Sequence, residues 1–525
     1  MSVPGRLNSV QMKRVLSAVL VACVLLVTGC ASLPPPKDRL ETAALTDTAG
    51  TRLGRAIGPG ITANPGKTGI YRLPDPRDAF AARVLLAGAA EKSLDVQYFI
   101  WHGDHVGYLL FQALWQAAER GVRVRLLLDD LNTKGLDPTI ATLDAHRNIE
   151  VRLYNPVVNR DNRMLNFVTD FSRVNRRMHN KSFTADNQAT VVGGRNIADE
   201  YFGAGGGLTF ADLDVLAGGA AVSEVSKEFD VYWNSASAYP ASGFVGPPMA
   251  DGIARLEAKF AAIHADPESV SYLEATRTTP LMRDLLDRKL TLEWAATEVV
   301  YDDPAKTLDT EGRKDVLLFP ELMRKMGRPE RQLDIVSPYF VPGDGGAELL
   351  AAVAKRGVTV RILTNSLAAS DEKSVHSGYA KRRRELLQAG IRLYEIKPTA
   401  TAKDSESHSR FGSGSSSGLH AKTLAVDSQR IFVGSFNFDQ RSAHLNTEMG
   451  VVLSNPVIAQ GLTRFFDVEV PMLAYEVRLA ADGRSLEWVE RTPSGEKRYD
   501  TEPNTSWSTR MGVDLLSILP IEWLL

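Results

Sequence analysis

The sequence contains the same short unit twice, and this duplication constrains the fold more than any other feature. Each copy holds a histidine, a lysine two residues later, an aspartate seven residues later and an asparagine 17 residues later. The copies are His179, Lys181, Asp186 and Asn196, and His420, Lys422, Asp427 and Asn437. Four matching positions are difficult to obtain by chance. A repeat this long indicates a duplicated domain, because the units of solenoid proteins are far shorter.

The segments that flank the two copies also correspond. Strand-like residues 93–100 and 122–128 enclose a helical pattern, and strand-like residues 332–336 and 358–363 enclose another. Strands that alternate with helices are typical of α/β layers. We therefore predict an α/β fold of two tandem α/β/α domains, each a mixed β-sheet flanked by helices, related by a pseudo-two-fold axis.

Composition and turn signals divide the chain into six predicted parts. They are a lipoprotein signal peptide (1–30), a Pro/Gly-rich tether (31–75), the first repeat (76–240), a helical connector (241–315), the second repeat (316–475) and a C-terminal extension (476–525). The extension ends in a strongly apolar tail. Packing of this tail against the core is favoured over contact with a membrane surface, because exposed apolar tails are uncommon in soluble domains.

Within each repeat, the spacing predicts a small polar cluster. A histidine and a lysine two residues apart on a strand point to the same face. Asp186-Asn187 and Asp427-Ser428 predict turns, after which the next strand returns antiparallel. Its end brings glycine and asparagine back beside the histidine. Each repeat then offers one imidazole, one ammonium and one amide.

Two such clusters facing each other suit the chemistry of a phosphodiester. One histidine can attack phosphorus and the other can protonate the leaving oxygen. Lysines and asparagines can donate hydrogen bonds to the non-bridging oxygens. The predicted phosphate-binding residues are Asn196, Asn437, Gly194 and Ser435. Because the lysines supply positive charge, we predict no metal and no cofactor. A single His-x-Lys would instead fit a packed histidine and a rim lysine.

The duplicated pattern resembles the phospholipase D superfamily over most of residues 80–475. The resemblance implies that His179 is the nucleophile and His420 the general acid and base. It also implies that Asp186 and Asp427 have supporting parts within the motif. Glu200 and Glu448 are candidates for a family glutamate that hydrogen-bonds an active-site group.

Other charged residues near the motifs have two interpretations each. Arg173, Arg176 and Arg177 precede the first histidine and are predicted to contact anionic head groups, the alternative being a solvated loop. Asp212 and Asp214 share one face of a strand. They are expected to orient active-site groups or to face solvent, in preference to binding a metal.

Residues 163–167, 170–173, 176–183 and 519–525 narrow the resemblance to the bacterial cardiolipin synthase C group. This implies phosphatidyl transfer onto phosphatidylglycerol from phosphatidylethanolamine or a second phosphatidylglycerol, through a phosphatidyl-histidine. The alternatives are a phospholipase D that releases phosphatidic acid, a nucleic-acid phosphodiesterase and a binding module without activity. A formal net charge of −2 and a pI of about 6.5 argue against nucleic acid as a partner. Two intact motifs argue against a binding module. No obligate protein partner is indicated.

The N-terminus predicts export. Lys13 and Arg14 precede an apolar run, residues 15–27, that is too short for a comfortable membrane span. Together they are typical of a signal peptide. The following residues resemble a bacterial lipobox, in which Cys30 would be lipidated. A plain signal peptide or a retained helical anchor are the alternatives. The absence of aspartate at position 31 favours the outer membrane by lipoprotein sorting rules. We predict a membrane-associated lipoprotein on the periplasmic side.

Overall fold

The computed structural model describes residues 33, 39–205, 209–309, 312–398 and 416–525. The predicted signal peptide and Cys30 lie outside the described residues. The strands are β1 Thr68–Leu73, β2 Ser93–Tyr98, β3 Arg123–Asp129, β4 Ile149–Tyr154, β5 Ser182–Ala185, β6 Ala189–Gly193, β7 Thr209–Ala211, β8 Asp214–Gly219, β9 Ala238–Pro240, β10 Glu293–Tyr301, β11 Gln332–Val336, β12 Phe340–Val341, β13 Thr359–Asn365, β14 Arg392–Ile396, β15 Ser416–Leu419, β16 Thr423–Val426, β17 Arg430–Gly434, β18 Phe438–Asp439, β19 Met449–Ser454, β20 Ala474–Leu479, β21 Leu486–Thr492 and β22 Gly495–Tyr499.

The helices lie between and around these strands. They are α1 Arg52–Ala63, α2 Pro76–Ala89, α3 His105–Glu119, α4 Asp137–Asp144, α5 Leu165–Thr169, α6 Phe171–Val174, α7 Asp199–Phe202, α8 Ala220–Trp233, α9 Gly252–Ala265, α10 Pro267–Thr276, α11 Pro280–Leu286, α12 Leu318–Met326, α13 Gly343–Lys355, α14 Lys373–Ala380, α15 Arg383–Gln388, α16 Gln440–His444, α17 Pro456–Arg464, α18 Val470–Leu473 and α19 Trp507–Ile518.

The two repeats have the same strand order. The first repeat runs β9-β4-β3-β2-β5-β6-β8-β1, and the second runs β20-β14-β13-β11-β16-β17-β19-β10. In each, three adjacent strands are parallel (β2, β3 and β4, then β11, β13 and β14) and the remaining pairs are antiparallel. This confirms the predicted α/β fold of two repeated mixed sheets flanked by helices.

Strand β10 joins the repeats into one continuous sheet. Its first residues pair with β1 and its later residues pair with β19. Because β1 and β10 occupy the same place in their repeats, each is the first strand of its unit. The predicted boundaries at 76 and 316 therefore omit the opening strand of each repeat.

The structure also differs from the predicted tether and connector. The tether contains helix α1 and strand β1, and the connector contains strand β10 after its three helices. Thr51 caps the N-terminus of helix α1, and its side chain accepts a hydrogen bond from the Gly54 N–H. The prolines and glycines around these elements masked their patterns, and pairing with the large sheet stabilises strands that are short or mixed in composition.

The same buried ion pair crosses the parallel strands of both repeats. Arg125 on β3 donates to Asp95 on β2 at 2.6 Å, and Arg361 on β13 donates to Asp334 on β11 at 2.6 Å. Asp95 and Asp334 are almost fully buried. A buried carboxylate without a cation would be costly, so the duplicated arginine is required wherever the aspartate is kept.

The motif aspartates lie at the tips of the predicted hairpins. Asp186 and Asn187 have φ values of 52° and 50°, and Asp427 and Ser428 have 53° and 56°, as a type I′ turn requires. The Asp186 carboxylate accepts hydrogen bonds from the N–H groups of Glu91, Lys92 and Ser93. Asp427 accepts the equivalent bonds from residues 330–332. Both aspartates therefore connect the hairpin to the start of the neighbouring strand.

The C-terminal extension is only partly packed. Helix α19 lies against α14 and buries Val513, and the terminal Leu525 is also buried. In contrast, Trp507, Ile518 and Trp523 are exposed. The predicted core packing of the tail therefore applies to some of its residues only. In the described ranges, no helix combines the length and apolar character needed to span a bilayer.

Replacing Asp186 tests the role of the turn carboxylate in the fold. We expect Asp186→Ala to lower the free energy of unfolding by at least about 2 kcal/mol, because three backbone N–H groups lose their acceptor. Asp186→Asn, which keeps one acceptor oxygen, should lose less. Thermal unfolding measures both, with Asp161→Ala at an exposed position as the control. An unchanged midpoint for Asp186→Ala would contradict this role.

Candidate active site

Each motif histidine is held by a carboxylate of the other repeat. His179 Nδ1 lies 2.8 Å from Glu448 Oε2, and His420 Nδ1 lies 2.6 Å from Asp212 Oδ2. With Nδ1 bonded in this way, Nε2 is the ring nitrogen that faces the substrate side, and in His420 it lies 3.1 Å from Lys422 Nζ. The carboxylate also fixes the orientation of the ring, as in other sites where a histidine acts on a substrate.

Backbone hydrogen bonds also join the two repeats, one beside each motif histidine. The His179 N–H donates to the Thr447 carbonyl, and the His420 N–H donates to the Ala211 carbonyl, both at 2.8 Å. Strand β7 of the first repeat also pairs in parallel with β15 of the second. The two motifs therefore meet in one cluster at the seam between the repeats.

Asp212 and Glu448 are structural counterparts. Val192 pairs with Val215 in the first repeat, and its counterpart Val433 pairs with Val451 in the second. Asp212 and Glu448 each lie three residues before these partner valines. The expectation that Asp212 orients an active-site group agrees with its contact to His420, whereas Asp214 pairs with Arg83 at 2.8 Å instead.

Glu200 occupies a different place from the one predicted. Its carboxylate lies 3.7 Å from His102 Nδ1, and no hydrogen bond or ion pair in the described ranges joins it to either motif. Sequence reasoning paired Glu200 with Glu448 because both follow their asparagines. The alternating Asp212-x-Asp214 pattern at the start of β8 was the signal for the true counterpart.

The lysines share one electrostatic environment with the histidines. Lys181 and Lys422 are buried, and each donates to the backbone carbonyl of its own motif histidine, at 2.6 Å and 2.5 Å. Burial lowers the pKa of His179 well below its usual value, and both lysine charges lower it further. Burial and Lys422 lower the pKa of His420 to about 4, with Lys181 adding to the effect. Both imidazoles are therefore neutral at pH 7, and both respond to both lysines.

The two carboxylates have different protonation behaviour. Burial would raise the pKa of Asp212, but His420 and Lys422 lower it to about 2. Burial raises the pKa of Glu448 to about 7, although Lys181 acts in the opposite direction. His420 thus has a firmly anionic partner, whereas Glu448 can hold a proton near neutral pH.

Gly194 and Ser435 help to position the carboxylates of Asp212 and Glu448, respectively. A Cβ atom at Gly194 would lie 2.2 Å from Asp212 Oδ1, so only glycine leaves room for that side chain. Ser435, at the equivalent position, donates from Oγ to Glu448 Oε2 at 2.5 Å. The backbone N–H groups of both residues are also occupied. The prediction that these two residues bind phosphate is therefore not favoured, because their groups are already used.

The two asparagines have free amide atoms in the buried site. Asn196 accepts from the Ile100 N–H at 3.2 Å, while its Nδ2 has no hydrogen-bond partner among the described residues. Asn437 Oδ1 likewise has none there, and a half-turn of the amide would present its N–H₂ group. Unpaired buried polar groups are costly unless a ligand pairs with them. Both side chains suit the predicted contact with phosphate oxygens.

The remaining motif residues support the site from a distance. Asp186 and Asp427 lie at the far ends of their hairpins, about 20 Å along the chain from the histidines, so they cannot touch the same phosphate. Arg177 is buried in an ion pair with Asp129 at 2.7 Å. The ion pair holds the segment that precedes His179 against the end of β3. It also excludes the predicted contact of Arg177 with a lipid head group. Arg173 is likewise paired, with Asp170 at 2.6 Å.

One buried network exists in the first repeat only. Asn180, between His179 and Lys181, donates to Glu228 at 2.7 Å and accepts from Thr447 at 3.0 Å. Burial raises the pKa of Glu228 to about 8. The counterpart of Asn180 is Ala421. This network ties helix α8 to the crossing between His179 and Glu448.

Possible cation ligands lie outside this cluster. His102, Asp104 and Glu200 form the one group of three such side chains in the described residues whose ligand atoms lie within 4.8 Å of one another. Both Asp104 oxygens already accept backbone hydrogen bonds, from Gly107 and Asp199. The group therefore has little capacity left for a metal.

Comparison with known proteins agrees with this geometry. A family model described as "Cardiolipin synthase, PLD-like domain" matches residues 85–233 and 322–469. Cardiolipin synthase C of Escherichia coli (strain K12) is 47% identical over 475 residues, which is 90% of this chain and 100% of that protein. The chain belongs to the phospholipase D-like cardiolipin synthase family. This confirms the family predicted from the duplicated motif.

More distant relatives preserve the family or the fold. The major cardiolipin synthase ClsA of Bacillus subtilis (strain 168) is 24% identical over 75% of this chain and 67% of its own length. The crystal structure of phosphatidylserine synthase from Haemophilus influenzae Rd KW20 superposes with a TM-score of 0.53. It is 13% identical and covers 90% of this chain and 99% of its own. The second likeness shows that the fold tolerates extensive sequence change.

The protonation of Lys422 in this cardiolipin synthase family member predicts an alkaline limit to activity. Burial lowers the pKa of Lys422 to about 8, so the ammonium form is held below that pH and lost above it. We expect kcat/KM to fall about tenfold per pH unit above pH 8, because the site loses positive charge next to the substrate phosphate. The same profile for Lys381→Met, at an exposed lysine, is the control. A flat profile up to pH 10 would argue against this role of Lys422.

Proposed function

We propose that the protein is a phosphatidyltransferase that makes cardiolipin at a membrane. Phosphatidylglycerol is the acceptor, and phosphatidylethanolamine or a second phosphatidylglycerol is the donor. The observation that carries this proposal is the crossed pair of histidines, each seated on a carboxylate of the other repeat in a lysine-rich cluster. Family membership and the 47% identity to a cardiolipin synthase C support cardiolipin as the product.

In the first step, His179 Nε2 attacks the phosphorus of the donor lipid. A phosphorus–nitrogen bond forms, the bond to the head-group oxygen breaks, and that oxygen takes a proton from the imidazolium form of His420, which Asp212 and the bound phosphate anion stabilise, to leave as an alcohol. Lys181, Lys422 and the free amides of Asn196 and Asn437 stabilise the negative charge on the non-bridging oxygens. A nucleophile must be neutral, which agrees with the strongly lowered pKa of His179.

In the second step, the phosphatidyl-histidine is transferred to the acceptor. His420 Nε2 removes a proton from the glycerol hydroxyl of phosphatidylglycerol, the alkoxide oxygen bonds to phosphorus, and the bond to His179 breaks. His420 has the anionic Asp212 beside it, with Nδ1 2.6 Å from Asp212 Oδ2. An anionic partner stabilises the imidazolium that forms, so His420 suits the residue that carries the proton.

The proposal extends to the location of the protein. Cys30 is the lipidation site, and acyl chains on it hold the protein on the periplasmic face, on the outer membrane in preference to the inner. In this arrangement residues 1–29 are removed, Cys30 becomes the first residue of the mature protein, and the chain from 31 links the anchor to the first repeat. Phospholipids and the membrane surface are its partners.

Replacing either motif histidine should abolish turnover. We expect His179→Ala and His420→Ala each to reduce cardiolipin formation at least about 1,000-fold, because one histidine cannot perform both roles. Lipid mass spectrometry after incubation with phosphatidylglycerol, with and without phosphatidylethanolamine, measures this. His146→Ala, outside the cluster, should keep full activity. Phosphatidic acid as the only product would instead select a hydrolase that uses the same intermediate, and full activity in either histidine variant would contradict the shared site.

Removing the lipidation site tests the anchor separately. We expect Cys30→Ser to move the protein from the membrane fraction to the soluble fraction in the presence of high salt. The exposed apolar residues of the C-terminal extension bind a bilayer less firmly than two or more acyl chains do. Metabolic labelling with a palmitate analogue should mark the wild type and not the variant. Unlabelled wild-type protein would rule out lipidation at Cys30.

A further inference from the structure

Two exposed apolar patches border the active site from different parts of the chain. Helices α5 and α6 and the residue before them expose Met164, Val168 and Phe171, with Met164 70% and Val168 66% exposed. Helix α19 and the residues after it expose Trp507, Leu515, Ile518 and Trp523, with Ile518 78% exposed. These seven residues are called the apolar rim below.

The exposed residues of α19 form a stripe along one face. Trp507, Met511, Leu515 and Ile518 follow each other at intervals of four, four and three residues. This spacing places them on the same side of a helix. The opposite side carries the buried Val513 and packs on α14. The stripe therefore faces away from the protein core.

Arg441 joins the two patches. Its Nε donates to the Leu524 carbonyl, next to Trp523, and its Nη1 and Nη2 donate to the carbonyl and side chain of Asn175. Asn175 directly follows helix α6 and donates its N–H to Phe171. The C-terminus and the end of α6 are thus held together by one guanidinium group.

The rim adjoins the loops that form the site. The chain runs from Asn175 to His179, and on the way the Arg177 carbonyl accepts from the Thr447 N–H. Thr447 precedes Glu448, the partner of His179. An apolar surface at this place would meet the acyl chains of any lipid whose phosphate reaches the histidines.

The start of the described chain indicates what covers the rim. The Arg39 guanidinium donates to the carbonyls of Ser235 and Ala238. Ala238 pairs with Tyr154 on β4, and the next residue, Asn155, donates to the carbonyl of Arg173 in α6 at 2.8 Å. Arg39 is therefore close to α6. Cys30 precedes Arg39 by nine residues, which span at most about 30 Å. Acyl chains on Cys30 would hold a bilayer within that reach of Arg39, in the neighbourhood of α6.

We infer that the apolar rim inserts into the surface of a phospholipid bilayer and holds the active-site entrance against it. Tryptophan side chains are enriched where proteins meet the membrane interface. Trp507 begins the α19 stripe, and Trp523 follows its last residue by five positions. The inference rests on the proposed function for its lipid partner. It gives the exposed residues of the C-terminal tail a role in membrane binding, which the partial packing of the tail does not explain.

Fluorescence of the rim tryptophans tests the contact directly. The full-length lipidated protein is bound to vesicles of phosphatidylethanolamine and phosphatidylglycerol with or without brominated acyl chains, which quench tryptophans in contact with them. The signal of the rim is the difference between wild type and the variant with Trp507→Phe and Trp523→Phe. We expect brominated lipid to quench this difference signal. An unquenched difference signal overturns the inference, because the anchor alone does not bring these side chains into the bilayer.

Activity on two forms of substrate provides the second measurement. We expect the variant with Leu515→Ser and Ile518→Ser to lose about tenfold in turnover on vesicles. It should retain its turnover on short-chain phosphatidylglycerol dissolved as monomers. Leu286→Ser and Val457→Ser, at exposed apolar positions on α11 and α17, are the matched controls. Equal losses on both substrates would mean that the serines damage the fold and would contradict a docking role.

The outcomes separate this inference from the proposed function. Quenching without any turnover on either substrate would leave docking in place and reject the transferase. Turnover without quenching would support the transferase and reject docking of the rim. A concentration-dependent dimer that the serine substitutions dissociate, together with an unquenched signal, would show that a second copy of the chain covers the rim.

Discussion

The site depends on an exchange of partners between the two repeats. Glu448 of the second repeat orients His179 of the first, and Asp212 of the first orients His420 of the second. A single repeat would contain a histidine and a carboxylate that do not belong to the same pair. The continuous sheet through β10 and the pairing of β7 with β15 keep the two repeats in the register that this exchange requires. The extensive seam between the repeats is thus a condition for the chemistry as well as for stability.

Burial explains why so many charged groups can work in this small space. Two lysines, two histidines and two carboxylates lie in a region with little solvent, where charges interact more strongly than in water. Neutral imidazoles reduce the repulsion among the cations, and the anionic Asp212 offsets part of the lysine charge. A phosphodiester brings a further negative charge into this cluster. Binding of the substrate therefore relieves an electrostatic excess that the empty fold must tolerate.

The sequence predicted the parts of the site that repeat, because repetition is visible without a structure. The histidines, lysines, asparagines and hairpin turns were found from spacing alone. For Asp212, a role in orienting an active-site group was only one of the interpretations. Its partner His420 is 208 residues away, and no local sequence pattern indicates such a contact. The contacts of Gly194 and Ser435 were not visible for the same reason: the carboxylates beside them, Asp212 and Glu448, come close only in the folded sheet. Strands β1 and β10 were missed because the sheet around them, more than their own composition, makes them strands.

Duplication also allows the two halves to diverge, and the structure shows where they have done so. The first motif has Asn180 between its histidine and lysine, bonded to the buried Glu228 and to Thr447 of the other repeat. The second has Ala421, which makes no side-chain hydrogen bond. His179 therefore bonds to Glu448, packs against Phe99 and is followed by the bonded Asn180, whereas His420 bonds to Asp212, packs against Tyr201 and Phe210 and lies 3.1 Å from Lys422 Nζ. A nucleophile that must stay aligned with phosphorus through a covalent intermediate gains from the more rigid setting. A residue that exchanges protons first with the leaving alcohol and then with the incoming one gains from an anionic partner at its other ring nitrogen. The asymmetry of the surroundings is thus consistent with unequal roles for two motifs whose own residues are almost the same.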